Sequence, residues 1–556
     1  MTRTCLPAIL TTLLVACGGP TEPVFPPIDG QAILGHLTVL ASDEYEGRAP
    51  GARGEELTVA YLTEQFQKMG LQPGNTDGTY TQQVPLVGIT TNPDTSLDFR
   101  RGRRRLSLKF KDDVVAWTKH VAEEASIADS GVVFVGYGVV APEYDWDDYK
   151  GLDVTGKTLV MLVNDPPVPD SIDPSVFDTT MFGGPAMTYY GRWTYKYEIG
   201  AEKGAAAVIL VHETGPAGYP FSVVQGKTAE NFDLVTPDRN MGRAAIEGWI
   251  TLDKAKELFA LAGQDFDKLK AAAVTRDFKP VDFGVTASMT IKNTLRTIDS
   301  QNVVAKLEGA DPVLKDEYVV LTSHWDHFGI GDPDETGDTI YNGAYDNATG
   351  VGALLEIARA FTEVRPPPKR SIVFLAVTAE EQGLLGSSYY ATLPIYPLDR
   401  TLACINMDGM NMHGPTSDVI VVGLGASDLD DYAREVATAQ RRTITPDQEP
   451  EKGFYYRSDH FPFAKAGVPA LSASSGNTYV GKPEDYGMKL REEYTAKHYH
   501  QPSDQVQPDW VTTGTVEEAD FYLRVAYKVA QADTFPEWKP GNEFRAKRDA
   551  MMKKPL

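Results

Sequence analysis

The chain has 556 residues, of which 42% are hydrophobic and 23% charged, and a formal net charge of −24. That length exceeds what one core usually serves and predicts two compact units, and the hydrophobic content excludes a disordered chain. A surface this acidic repels phosphate backbones, which argues against nucleic acid as a partner.

Met1 to Cys17 combine one basic residue, a short apolar stretch and small residues ahead of a cysteine. This is the pattern of a secretion signal, too short to span a bilayer as a stable helix. Leu14-Val-Ala-Cys17 resembles the bacterial lipobox, in which the cysteine becomes the acylated first residue of the mature protein. Residues 1–16 then read as signal peptide, Cys17 as the lipidation site and 17–29 as a flexible tether. The expected location is the cell envelope of a bacterium, with the lipid anchor as the membrane contact. With Cys5 discarded and Cys17 acylated, Cys404 is what remains of the 3 cysteines, and Leu402-Ala-Cys-Ile405 reads as buried core.

Apolar residues at helical spacing (Ile33, Leu34, Leu37, Leu40, then Leu57, Ala60, Tyr61, Leu62, Phe66, Met69) predict two helices between Gln31 and Leu71. The glycine-rich loop 46–54 separates them and Gly70 ends the second. They open a first part of the main domain, 30–128, in which Arg100-Arg-Gly-Arg-Arg-Arg105 reads as a solvated loop between strands. From 129 to 286 the texture becomes short strands and turns (131–140, 158–163, 205–211, with a helix at 195–203), which predicts an inserted β-rich domain. From Ser300 onward, apolar strands (319–321, 371–377, 402–405) alternate with amphipathic helices (350–364, 383–392). That predicts an α/β fold with a mixed, largely parallel central sheet flanked by helices, over a catalytic domain 287–540 followed by a tail 541–556.

In such a sheet, functional groups gather on loops at the carboxyl ends of strands. One strand is followed by His324-Trp-Asp326, and the next loop carries Tyr341-Asn-Gly-Ala-Tyr-Asp-Asn-Ala-Thr-Gly350. Later strands are followed by Thr378-Ala-Glu-Glu-Gln-Gly383 and Asn406-Met-Asp-Gly409, and Tyr499-His-Gln-Pro-Ser-Asp504 closes the set. Each alone is explained as well by helix capping. Together they place several carboxylates at one sheet edge, where they repel unless cations sit between them.

These motifs resemble the co-catalytic di-zinc aminopeptidases, a family that includes bacterial leucyl aminopeptidases, aminopeptidases S and Y and the glutamate carboxypeptidase group. The resemblance covers Ser300 to Trp538. Leu40-Ala-Ser-Asp-Glu-Tyr-Glu-Gly-Arg48 looks like the family's N-terminal segment, and the insertion looks like a protease-associated domain. The resemblance implies two zinc ions bridged by Asp346, with His324 and Asp408 completing one site and Glu381 and His500 the other. It implies that Asp326 supports the ring of His324 and that Glu380 is the general base. It also implies a cis peptide between Asp346 and Asn347. His327 matches a position that is not a ligand, and the Tyr-His-x-Pro-x-Asp context selects His500 over His498. Tyr499 is a candidate oxyanion donor, with a packing aromatic as the alternative, and Arg457 a candidate substrate contact, with a surface ion pair as the alternative. Where relatives often carry Asp, Tyr345 stands here.

The activity implied is zinc-dependent removal of amino acids from peptides by an exported, lipid-anchored aminopeptidase. Three alternatives remain: a glutaminyl-cyclase-like single-zinc acyltransferase, a carboxypeptidase or dipeptidase of the same fold, and a non-catalytic binding protein that kept the scaffold.

Overall fold

The computed structural model describes residues 22–92, 96–226 and 230–553. The signal, Cys17 and the start of the tether lie outside these residues. Strands Tyr318–His324, Ser371–Val377 and Thr401–Asn406 are buried along their whole length. Their near-continuous apolar runs are what a strand covered on both faces requires. They pair in parallel with Tyr318–His324 in the middle, Val320 lying opposite both Val373 and Cys404. Ala470–Ser475 joins in parallel beside Thr401–Asn406, and Asp418–Val422 runs antiparallel beyond it. On the other side Val281–Leu307 and then Thr81–Thr91 add antiparallel strands. The sheet is mixed with a parallel centre.

Side chains alternate between its two faces. Val319 and Leu321 pack in one core with Phe66, Leu354, Phe361 and Leu523, from helices Arg53–Lys68, Thr349–Glu363 and Thr513–Gln531. Val320, Val373 and the free thiol of Cys404 pack in the other core with Tyr390 and Phe463, from helices Leu385–Thr392 and His460–Lys465. The two N-terminal helices span Gly30–Leu40, capped by the Asp29 carboxylate, and Arg53–Lys68, after which Gly70 takes a left-handed φ of 74°.

A second group of paired strands holds Glu124–Phe134, Thr158–Leu162, Ala207–His212, Ile246–Thr251 and the first half of Val281–Leu307. It also takes in Ser96–Arg101, Arg104–Lys109 and Val114–Trp117, so this unit begins near Ser96 where the sequence placed its start at 129. The physical reason is that Leu97, Phe99, Leu108 and Val114 share a core with Leu258 and Phe259 of helix Leu252–Ala262. The arginine cluster is the tip of this hairpin, with Arg100 opposite Arg105 and Arg101 opposite Arg104. The segment expected as a tail is docked: Glu543 accepts from the Tyr456 hydroxyl (2.7 Å) and the Tyr189 amide (3.2 Å), and Arg548 donates to Thr401 O (2.9 Å). Among the described residues no helix is long and apolar enough to cross a membrane.

Candidate metal centre

The carboxyl ends of the parallel strands deliver the candidate ligands to one place. His324 is the last residue of Tyr318–His324, Glu380 and Glu381 follow Ser371–Val377, and Asp408 follows Thr401–Asn406. Asp346 sits in the turn Ala344–Ala348 that leads into helix Thr349–Glu363, and its peptide bond to Asn347 is cis. The Asn347 side chain donates to Ser323 Oγ and Met407 O, both at 3.0 Å, under the helix start. A Cβ on Gly350 would come within 2.2 Å of Asn347 Oδ1, so that approach demands glycine.

His324 Nε2 lies 3.2 Å from Asp346 Oδ1 and 3.3 Å from Asp408 Oδ1. His500 Nε2 lies 3.5 Å from Asp346 Oδ2 and 3.1 Å from Glu381 Oε2. Donors at about 2.0–2.1 Å from a tetrahedral ion stand about 3.3 Å apart, so each imidazole stands from its two carboxylates at a zinc-ligand spacing, and each faces a different oxygen of Asp346. The donor chemistry, imidazole and carboxylate without thiolate, also suits zinc. These donors therefore fit zinc. Exposure grades across it: the side chains of His324 and Glu381 are 1% and 3% exposed, those of Asp408 and His500 28% and 32%. The floor is buried, and the rim opens beside Asp408 and His500.

His327 also approaches the cluster, and His498 does not. His327 Nδ1 is 2.5 Å from Glu381 Oε1, a hydrogen-bond length too short for two ligands of one ion, so its ring steadies Glu381. His498 Nδ1 bonds Ser503 at 3.1 Å. Tyr499 is 47% exposed at the rim and stacks on the His500 ring with centroids 3.7 Å apart. Arg457 is exposed beside Phe454, its guanidinium 5.3 Å from the ring centroid, and no ion pair holds it among the described residues. Tyr345 packs against Tyr494 with ring centroids 4.7 Å apart.

The buried Asp326 lies under this floor. His324 Nδ1 is 3.2 Å from its backbone carbonyl and 3.8 Å from its carboxylate. The carboxylate oxygens accept the amides of Glu380 (3.0 Å) and Glu381 (3.4 Å). One residue thus fixes the His324 tautomer through its main chain and the Glu380–Glu381 turn through its side chain. Burial, with the charges of Glu381, Asp408 and Asp459, pushes the Glu380 carboxyl well above its usual range against the pull of His324. Divalent cations among these carboxylates would reverse that balance. Glu380 offers an oxygen within 4.8 Å of His324 and Glu381 donors.

Other supports went unnoticed in the sequence. Ser458 Oγ donates to Asp408 Oδ2 at 2.6 Å and receives the Asn406 amide at 2.7 Å. Asp504 accepts the amides of Tyr345 (3.0 Å) and Asp346 (3.1 Å). Asp504 lies inside the Tyr499–Asp504 motif singled out above and Ser458 follows the candidate Arg457, and that adjacency was the available signal.

A family model, peptidase family M28, matches residues 302–523. A probable zinc metalloprotease of Pyrenophora teres f. teres (strain 0-1) is 38% identical over 112 residues, 20% of this chain and 23% of that protein. Aminopeptidase YwaD of Bacillus subtilis (strain 168) is 27% identical over 209 residues, 37% of this chain and 40% of that protein. The matches therefore span less than half of either relative. Among solved structures, the aminopeptidase from Aneurinibacillus sp. strain AM-1 aligns over 92% of this chain and 96% of its own at 19% identity, with a TM-score of 0.48.

Proposed function

We propose, from the match of residues 302–523 to the model of peptidase family M28, that the chain is a zinc-dependent exopeptidase that removes residues from the free N-termini of peptides. The observation that carries this reading is the pair of ligand sets at 3.1–3.5 Å that share Asp346. His324, Asp346 and Asp408 would hold one zinc ion and Asp346, Glu381 and His500 the other, and the pair would supply a Lewis acid for the scissile carbonyl and a bound water of lowered pKa.

The chain's own residues supply the rest. Glu380 accepts the proton of the attacking water at its carboxylate and returns it to the nitrogen of the leaving amine, which is general base and then general acid work. Asp326 fixes the amide of Glu380, so the carboxylate is aimed before substrate arrives. His327, Ser458 and Asp504 hold Glu381, Asp408 and Asp346 in register, which lowers the reorganisation left for the reaction. Tyr499, exposed at the rim against the His500 ring, would donate its hydroxyl to the carbonyl oxygen as negative charge develops.

The preference for a free amine follows from charge. Glu380 and Asp459 lie beside the ligand sets, and their negative potential favours a substrate ammonium. Arg457 favours a second reading, because an exposed cation with no ion pair among the described residues, next in sequence to the Ser458 that holds Asp408, would attract a substrate carboxylate and make the protein a carboxypeptidase or dipeptidase. One peptide offered to the zinc-loaded protein in free and N-acetylated forms separates the two. The expected result is shortening from the N-terminus of the free form alone. Efficient trimming of the acetylated form from its C-terminus would replace the aminopeptidase reading with the second.

Export and anchoring at Cys17 belong to the same proposal, supported by Leu14-Val-Ala-Cys17. A mass spectrum of the mature N-terminus is expected to begin at an acylated Cys17. An unmodified Cys17 would remove the anchor from the account.

A further inference from the structure

Arg48 is 1% exposed and sits beneath the metal centre, on the segment that joins the two N-terminal helices. Glu46, Gly47 and Arg48 take successive left-handed φ values of 48°, 63° and 52°, an uncommon run in which two members carry a Cβ. A Cβ at Gly47 would stand 2.4 Å from Tyr341 O. This backbone turns the Arg48 side chain inward.

The guanidinium donates from Nε to Trp325 O (2.8 Å), from Nη1 to Leu40 O (2.7 Å) and Asn342 O (2.6 Å), and from Nη2 to Gly343 O (2.9 Å). All four acceptors are main-chain carbonyls. The carboxylates of Asp326, Asp504, Asp346 and Glu381 face its charge, yet none forms an ion pair with it. A buried guanidinium ordinarily takes a carboxylate across its planar fork. Here the fork spans two loops instead. Trp325 follows His324, and Gly343 precedes Asp346 by three residues.

The supports of the centre fall into two halves. Asp326 and His327 fasten the 324–327 loop to Glu380 and Glu381. Asp504 fastens the turn carrying Asp346 to the loop carrying His500. Each ligand set draws from both halves: Asp346 with His324 in one, Asp346 and His500 with Glu381 in the other. On the helix side, Asn347 joins the halves through Ser323. On the opposite side the joint is Arg48.

We propose that Arg48 is a positioning residue that holds the two halves at the spacing the ions require. This rests on the di-zinc reading above. The sign of the effect separates position from charge. Removing a positive charge beside four carboxylates would by itself tighten the binding of a cation. Losing the four hydrogen bonds would let the halves separate and loosen it.

The test measures zinc affinity by chelator competition for the wild-type protein, Arg48→Met and Arg48→Lys. Near-UV circular dichroism and the Tm of the metal-free forms are recorded alongside. Lysine keeps the charge but cannot span four carbonyls. Both variants are expected to bind zinc about 10–100-fold more weakly than wild type while retaining the native dichroism, the range found for groups that orient ligands. An Arg48→Met protein that binds zinc more tightly, with Arg48→Lys unchanged, would show that the charge matters and the position does not. A lower Tm with unchanged zinc affinity in both would show a role in general stability only. Either result overturns the proposal. If Arg48→Met does not fold, Arg48→Lys decides alone, since an unchanged affinity there is also contrary. A wild-type protein that takes up no zinc would instead remove the di-zinc reading, and this proposal with it.

Discussion

Replacing Glu380 by Gln is expected to lower kcat by about 10²–10⁴-fold while the zinc content stays at its wild-type level. The amide has the size and shape of the carboxylate but cannot accept a proton at neutral pH, so the substitution removes the acid–base step and little else. Two features of the structure separate it from the ligands. The closest imidazole–carboxylate contacts run through Asp346, Asp408 and Glu381, and the Glu380 main chain is anchored on Asp326 whatever its side chain. KM is expected to change less than kcat, because proton transfer is needed in the transition state and not for binding. Steady-state kinetics with metal analysis of the same preparation checks both halves of the statement. A variant that keeps more than about a tenth of kcat would sink the assignment of Glu380 as base, since that loss falls below the range for such groups. A variant that loses zinc would make Glu380 a ligand.

Replacing Asp346 by Asn is expected to abolish activity and to weaken both zinc sites together. Its two oxygens serve different ligand sets, Oδ1 facing His324 and Oδ2 facing His500. An amide offers one weakly basic oxygen and a nitrogen that does not bind metal, and it removes the charge that offsets the cations. Loss of a residue that only orients a ligand costs about 10–100-fold in affinity, so loss of the shared ligand should cost more. Thermal unfolding with and without zinc gives an independent readout. A ligand at 100 times its Kd stabilises the folded state by about 2.7 kcal/mol per site, so wild-type protein should gain Tm on zinc addition and Asp346→Asn should not. An Asp346→Asn protein that still takes up two zinc ions and gains the same Tm would contradict the bridging role.

How far this centre was legible in the sequence depends on what carries the information. His324, Asp346, Glu381, Asp408 and His500 each lie in a short motif, most of them just beyond a buried apolar strand, and the structure brings all five together. The parallel order of the strands was likewise written in their unbroken apolar runs. The supports were harder to read because their partners are distant. Arg48 reaches carbonyls 277 and 295 residues away, and Ser458 reaches Asp408 across 50. A main-chain acceptor leaves no mark on the sequence at all. Asp326 shows the limit within a motif: the resemblance implied support of the His324 ring, and here its carbonyl meets the ring while its carboxylate oxygens bond the amides of Glu380 and Glu381. The start of the second unit near Ser96 was hidden because its first strands resemble surface hairpins until Phe99 and Leu108 find their core.

The measurement that bears most directly on the account is anomalous scattering at the zinc edge from crystals of the zinc-loaded protein. The account predicts two peaks, one within bonding distance of His324, Asp346 and Asp408, and the other of Asp346, Glu381 and His500. A single peak, or two peaks that share no ligand, would contradict it.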